Sequence, residues 1–158
     1  MKNIVDETCK VLGNGGTILY PTDTIWGLGC DACNENAIAR IYNIKHRDKG
    51  KSMLILVDSM EMMRKYTHSI PEIAEELIEA ADRPLTIIYP KAKNLPKNLV
   101  AEDGSIGIRI VNDEFCREVI GVFGKPIVST SANLSGCNPP LGFCDIADEI
   151  KSAVDYVV

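Results

Sequence analysis

Lys45 and Arg47 stand two positions apart in the basic run Lys45-His46-Arg47-Asp48-Lys49-Gly50-Lys51. Ser129, Ser131 and Asn133 repeat the same spacing near the other end of the chain, and Arg109 closes a largely apolar run, Ile106-Gly107-Ile108-Arg109. Ammonium and guanidinium groups neutralise phosphate or carboxylate oxygens, and hydroxyls and amides orient them. The chemistry to expect is therefore binding of a polyphosphate or carboxylate. Each group also has a plainer use. Cations at Lys45 and Arg47 would complement the carbonyl-rich end of a helix, and Ser, Thr and Asn after a strand commonly form turns. Arg109 needs an anionic partner if it is even partly buried, and a phosphate is one candidate.

Familiar alternatives can be set aside on spacing. Gly50-Lys51-Ser52 resembles the end of a phosphate loop, but the position that must carry the first glycine is Lys45, and a strand follows instead of a helix. Cys30 and Cys33 form one C-x-x-C pair with no second pair and no His at finger spacing, so no metal site is expected. The two histidines, His46 and His68, have no G-x-S-x-G serine to serve.

The chain that must position these residues alternates helices and strands. Ile4, Val5, Cys9 and Leu12 share one side of a helix that Gly13-Asn14-Gly15-Gly16 should stop. Thr17–Tyr20 reads as a strand, ended by Pro21, and Pro21–Gly29 as a turn rich in Thr and Gly. Asn34 or Asn36 should cap a helix whose inner face carries Ile38, Ile41 and Tyr42. Met53–Val57 is a strand apolar enough to be covered on both faces. Ser59 should cap a short helix, and Ser69-Ile70-Pro71-Glu72 has the capping-box pattern of a helix running to about Ala81. Leu85–Tyr89 and Ser105–Val111 read as strands, Asn112 or Asp113 opens a helix closed by Gly124, and Ile127–Ser129 is a short strand. Pro139-Pro140 breaks regular structure before a last, weaker helix over Phe143–Val154. This pattern predicts a single α/β domain, with the turn and the basic run on nearby rims at strand ends.

Totals bound the partners. At 158 residues the chain is one domain, and 46% hydrophobic with 25% charged residues is ordinary for a globular protein. A net charge of −5 argues against general nucleic-acid binding but leaves room for a local basic groove at Lys45, Arg47, Lys49 and Lys51. No stretch looks like a leader or a membrane span, so a cytoplasmic protein is expected, with no membrane partner and its six cysteines reduced.

Four segments in order resemble the YrdC/TsaC family of threonylcarbamoyl-AMP synthases. They are Tyr20-Pro-Thr-Asp-Thr-Ile-Trp-Gly-Leu-Gly29, Lys45-x-Arg47, Gly107-Ile-Arg109 and Lys125-Pro-Ile-Val-Ser-Thr-Ser-Ala-Asn-Leu-Ser-Gly136. The resemblance implies a single YrdC-like domain over residues 1–158, with a twisted mixed sheet, flanking helices and a concave, positively charged cavity. It implies the reaction of L-threonine, bicarbonate or CO2, and ATP to threonylcarbamoyl-AMP and pyrophosphate, with Mg2+ escorting the nucleotide. A partner transferase complex would then modify adenosine 37 of tRNA. By the same resemblance, Lys45 and Arg47 are the catalytic cations. Arg47, Lys51, Ser105, Arg109, Ser129 and Asn133 would hold the nucleotide, and Thr22, Thr24 and Ser131 the threonine. The other function such a surface could serve is shape-directed binding of double-stranded RNA or tRNA without turnover. The chain departs from the family at Asp48, where many relatives have Pro, at Pro139-Pro140-Leu141, and near Leu56, where longer relatives place a His.

Overall fold

A computed structural model describes residues 1–48 and 53–158. The elements run α1 (Lys2–Gly13), β1 (Ile18–Tyr20), β2 (Gly27–Gly29), α2 (Glu35–Lys45), β3 (Leu54–Val57), α3 (Met60–Met63) and α4 (Glu72–Ala80). They continue with β4 (Thr86–Tyr89), β5 (Ile106–Ile110), α5 (Glu114–Phe123), β6 (Ile127–Ser131), a 3-10 turn (Phe143–Asp145), α6 (Asp148–Ala153) and β7 (Tyr156–Val157). The strands form one mixed sheet in the order β4-β5-β3-β6-β2-β1-β7. Pairs β3–β5 and β1–β7 are parallel, and β1–β2, β2–β6, β3–β6 and β4–β5 are antiparallel.

Local chemistry sets the helix ends as the sequence predicts. Asn34 accepts the Ala37 amide at 3.0 Å, Ser59 accepts the Met62 amide at 3.2 Å, and Asp113 accepts the Cys116 amide at 2.8 Å. Gly124 closes α5 at φ 73°. The capping box expected at Ser69 does not form. Pro71 itself is the N-cap of α4, and its ring offers no acceptor for a helix amide. In α1, Val5 and Leu12 are buried and Cys9 packs on the core as expected, but Ile4 is exposed and Thr8 is fully buried in its place. The Thr8 hydroxyl satisfies itself by donating to the Ile4 carbonyl at 2.7 Å.

Two strands were not legible in the sequence. Pro21–Gly29, expected as a turn, ends in β2, where Leu19 pairs Leu28 and Tyr20 pairs Gly27. The glycines are required there. A Cβ on Gly29 would lie 2.7 Å from the Tyr20 ring and 2.7 Å from the Val128 carbonyl oxygen. Tyr20 is fully buried and donates to that carbonyl at 3.2 Å. The expected helix over Phe143–Val154 resolves into the 3-10 turn and α6, after which β7 pairs β1. Asp155 secures this end, accepting from the Thr17 amide at 2.7 Å and pairing with Arg40 at 2.7 Å.

The sheet has two unlike faces, and the difference positions the site. Ile87, Ile108, Ile55, Val128 and Leu28 fall on one face and are buried or packed against the core. Their neighbours Thr86, Gly107, Arg109, Leu54, Ser129, Ser131 and Gly27 fall on the other, by the two-residue alternation of strands. α1 packs on α5, with α1 also against β1 and α5 against β3. Among the described residues, no helix is long and apolar enough to cross a membrane.

Candidate functional site

The polar face opens into a cavity of about 210 Å3 lined by Thr22, Thr24, Ile25, Gly27, Leu54, Arg109, Ser129, Thr130 and Ser131. Five of the residues singled out in the sequence therefore meet on one wall: Thr22, Thr24, Arg109, Ser129 and Ser131. The β1–β2 connection supplies the threonines, β5 the arginine and β6 the serines.

Thr22 shapes the connection. Its hydroxyl donates to the Ile25 carbonyl at 2.7 Å, accepts the Thr24 amide at 3.1 Å, and lies 3.1 Å from the Thr24 hydroxyl. Such bonding is that of a turn former. Thr24 instead faces Arg109, accepting from its Nη1 at 3.3 Å.

Arg109 has its anionic partner within the chain, where the sequence left a phosphate open as one candidate. Nη1 donates to Asp23 Oδ1 at 3.0 Å, and Nε donates to Thr86 Oγ1 at 3.0 Å. Both ionic side chains are nearly closed off, at 11% and 10% exposure. Asp23 Oδ2 is buried with no hydrogen-bond partner among the described residues.

Lys45 is not a solvated helix end. It is 1% exposed, and its ammonium donates to the main-chain carbonyls of Ser131 and Asn133, the latter at 2.7 Å. Its own carbonyl accepts the Ser135 amide at 2.8 Å. The end of α2 thus clasps the chain leaving β6. Burial, reinforced by the Arg47 guanidinium, pulls the Lys45 ammonium down to about 8. Arg47 follows at the half-buried end of α2, with its amide on the Tyr42 carbonyl at 3.0 Å and its charge also felt by the Tyr42 phenol. His46 between them takes the left-handed conformation at φ 51° and reaches Glu149 of α6.

Two expected nucleotide contacts are set apart from the wall. Asn133 spends its amide NH2 on the carbonyls of Leu134 at 3.0 Å and Cys137 at 2.8 Å, which makes it an organiser of the loop after β6. Its Oδ1 is buried and unmatched among the described residues. Ser105 donates to Asp103 at 2.6 Å and lines a second cavity of about 240 Å3, with Met53, Leu54, Thr86, Ile88 and Gly107. The two cavities share Leu54. Lys51 lies outside the described residues. The residue that sequence reasoning missed is Asp23; the signal available was its place inside the Thr-Asp-Thr step, facing a strand with a lone arginine.

No group of three or more His, Cys, Asp or Glu among the described residues could hold a metal ion. Cys30 and Cys33 carry no partner histidine, and burial pushes both thiols up, Cys30 strongly.

A mixed sheet with one polar face, a buried lysine and an arginine among hydroxyls lining a cavity defines an α/β fold. Solved structures share that architecture. P. abyssi Sua5 in complex with L-threonine superposes with a TM-score of 0.90 at 27% identity over 97% of this chain. This chain spans 45% of that longer one. E. coli YciO shares the fold at a TM-score of 0.86 and 24% identity, covering 99% of this chain and 77% of that one. Residues 10–158 match the family model described as Telomere recombination, that of Sua5, YciO and YrdC. The chain belongs to the Sua5/YciO/YrdC family. A threonylcarbamoyl-AMP synthase of Pseudoalteromonas translucida is 35% identical over 154 residues, covering 96% of this chain and 81% of the relative. A putative threonylcarbamoyl-AMP synthase of Methanocaldococcus jannaschii is 35% identical over 158 residues, 99% of this chain and 73% of the relative.

Proposed function

We propose that the chain is an L-threonylcarbamoyladenylate synthase, a nucleotidyltransferase that serves threonylcarbamoyladenosine modification at position 37 of tRNA. The observation that carries this reading is the contact between Thr24 and Arg109 on one cavity wall. The resemblance assigns Thr24 to the threonine and Arg109 to the nucleotide, and the two ligands must meet for the reaction to occur. Kinship with synthases over nearly the whole chain supports it.

In the proposed reaction, the threonine amine bonds the carbon of CO2 with loss of a proton, or of bicarbonate with loss of water, to give a carbamate. A carbamate oxygen then bonds the α-phosphorus of ATP as the bond to pyrophosphate breaks. Two anions must be held in line, so charge neutralisation and positioning supply the catalysis and no protein nucleophile is required. Arg109, Arg47 and Lys51 are proposed to meet the phosphates, with Ser105, Ser129 and Asn133 along the nucleotide and Thr22, Thr24 and Ser131 beside threonine. Lys45 is proposed to act mainly by holding the Ser131–Asn133 segment. Magnesium is taken to arrive on the triphosphate as part of the substrate.

The reading takes residues 1–158 as one YrdC-like domain of the cytoplasm whose product passes to a transferase complex acting on tRNA. The test is pyrophosphate release from ATP with threonine and bicarbonate omitted in turn. Release that needs both is expected, and Lys45→Ala and Arg47→Ala should each abolish it. ATP binding without release would favour the alternative, a non-catalytic protein that holds double-stranded RNA or tRNA.

A further inference from the structure

Arg109 is the one cation lining the cavity among the described residues, and three of its five N–H donors are already committed. Nε is held by Thr86, and the two hydrogens of Nη1 by Asp23 and Thr24. Nη2 has no partner among the described residues. The three fixed bonds come from two elements: Thr86 of β4, and Asp23 and Thr24 of the β1–β2 connection. Together they leave one guanidinium edge for a ligand.

Of the three acceptors, only Asp23 carries charge. A buried ion pair with one carboxylate oxygen unmatched adds little net stability, because desolvation offsets the attraction. Its effect is directional instead. The carboxylate is 10% exposed and is not among the residues that line the cavity, and with Thr86 and Thr24 it fixes the guanidinium plane and so the direction of Nη2.

We infer that Asp23 is a positioning residue for the nucleotide, aiming the Nη2 edge of Arg109 into the cavity. This rests on the proposed function only in taking ATP as the anion that Arg109 meets.

The test is titration of ATP with magnesium into the chain without threonine or bicarbonate, so that no turnover occurs. Asp23→Asn is nearly isosteric and should weaken ATP binding on the order of 10-fold, the worth of one well-placed charged hydrogen bond. In an Arg109→Ala background the same change should move ATP binding by less than about twofold, since Asp23 then has nothing to aim. Threonine binding, measured separately, should stay within about threefold in Asp23→Asn, because the carboxylate hydrogen-bonds Arg109 and not the side chains of Thr22, Thr24 or Ser131, and Thr24 keeps its own bond to Arg109. If Asp23→Asn does not melt cooperatively, Asp23→Ser, which removes the charge and relieves volume, is read in the same cycle. Tighter ATP binding on losing the carboxylate would overturn the proposal, showing that Asp23 competes with the ligand for Arg109. Equal losses with and without Arg109 would overturn it too. A wild-type chain that binds no ATP sinks both this proposal and the synthase reading; one that binds ATP but releases no pyrophosphate sinks the synthase reading alone.

Discussion

The ring of Tyr20 occupies the space that a side chain on Gly29 would need. Tyr20 precedes the turn of the β1–β2 hairpin and Gly29 ends its second strand, so the bulk of one is accommodated by the absence of the other. A Cβ at 2.7 Å from both the ring and the Val128 carbonyl cannot be relieved by a flexible neighbour. Gly29→Ala is therefore expected to cost ~2 kcal/mol or more by overpacking. Gly13→Ala, at the end of α1 with nothing within 4 Å of its Cβ, is the contrasting control and should stabilise by ~0.5 kcal/mol. Urea unfolding of both variants measures the opposite signs.

Lys45 should leave a signature in the alkaline stability of the protein. Its ammonium is depressed to about 8 from an ordinary 10.5, so below about pH 8 folded and unfolded chains both hold the proton. Between about 8 and 10.5 only the unfolded chain holds it, and the stability contributed by this residue rises with pH across that window. Thermal melts of wild type and Lys45→Met through the window are the check. The difference between them should shift in favour of wild type as pH rises.

Asp155 gives the same sign of slope at the acid end. The Arg40 guanidinium, with help from the Thr17 amide and hydroxyl, holds its carboxyl below the ordinary 3.8. The stability it contributes is full above that value and is lost as pH falls through the lowered one. The side chain is 41% exposed, so solvent screening limits Asp155→Asn to a cost of ~1 kcal/mol near neutrality. Urea unfolding should show that cost shrinking as the solution is acidified below pH 3.8.

The thiols should fall into two classes. Cys137 and Cys144 are exposed, while Cys30 and Cys116 are buried with their pKa values pushed strongly up, chiefly by burial. Thiolate is the reactive form. Mass mapping after brief alkylation should find the label on Cys137 and Cys144 first, and on Cys30 and Cys116 only after unfolding.

Much of this was legible in the sequence where local chemistry decides. Asn34, Ser59, Asp113 and Gly124 set helix ends by their own side chains or backbone freedom, and they do so at the expected positions. What was hidden depends on contacts across the chain. Gly27-Leu28-Gly29 has poor strand propensity, and only the presence of Tyr20, β1 and β6 makes it a strand. Burial of Lys45 rests on two carbonyls beyond Thr130, which no spacing rule reveals. The partner of Arg109 was equally invisible, because Asp23 reads as one more turn former until β5 is laid beside it.

The position of β6 in the sheet has a kinetic consequence. It alone joins the β4-β5-β3 half to the β2-β1-β7 half, pairing Leu54 with Ser129 on one side and Gly27 with Ser131 on the other. Both partners come from the N-terminal part of the sequence, far before β6, so refolding is a search between distant segments and belongs at the slow end for mixed α/β domains. During synthesis the open edge of β2 must wait, unpaired, until the ribosome has delivered Ser131. An unpaired edge invites wrong partners. The nascent chain is most vulnerable to association during that interval, and the strand that ends the wait also brings the serines of the cavity wall.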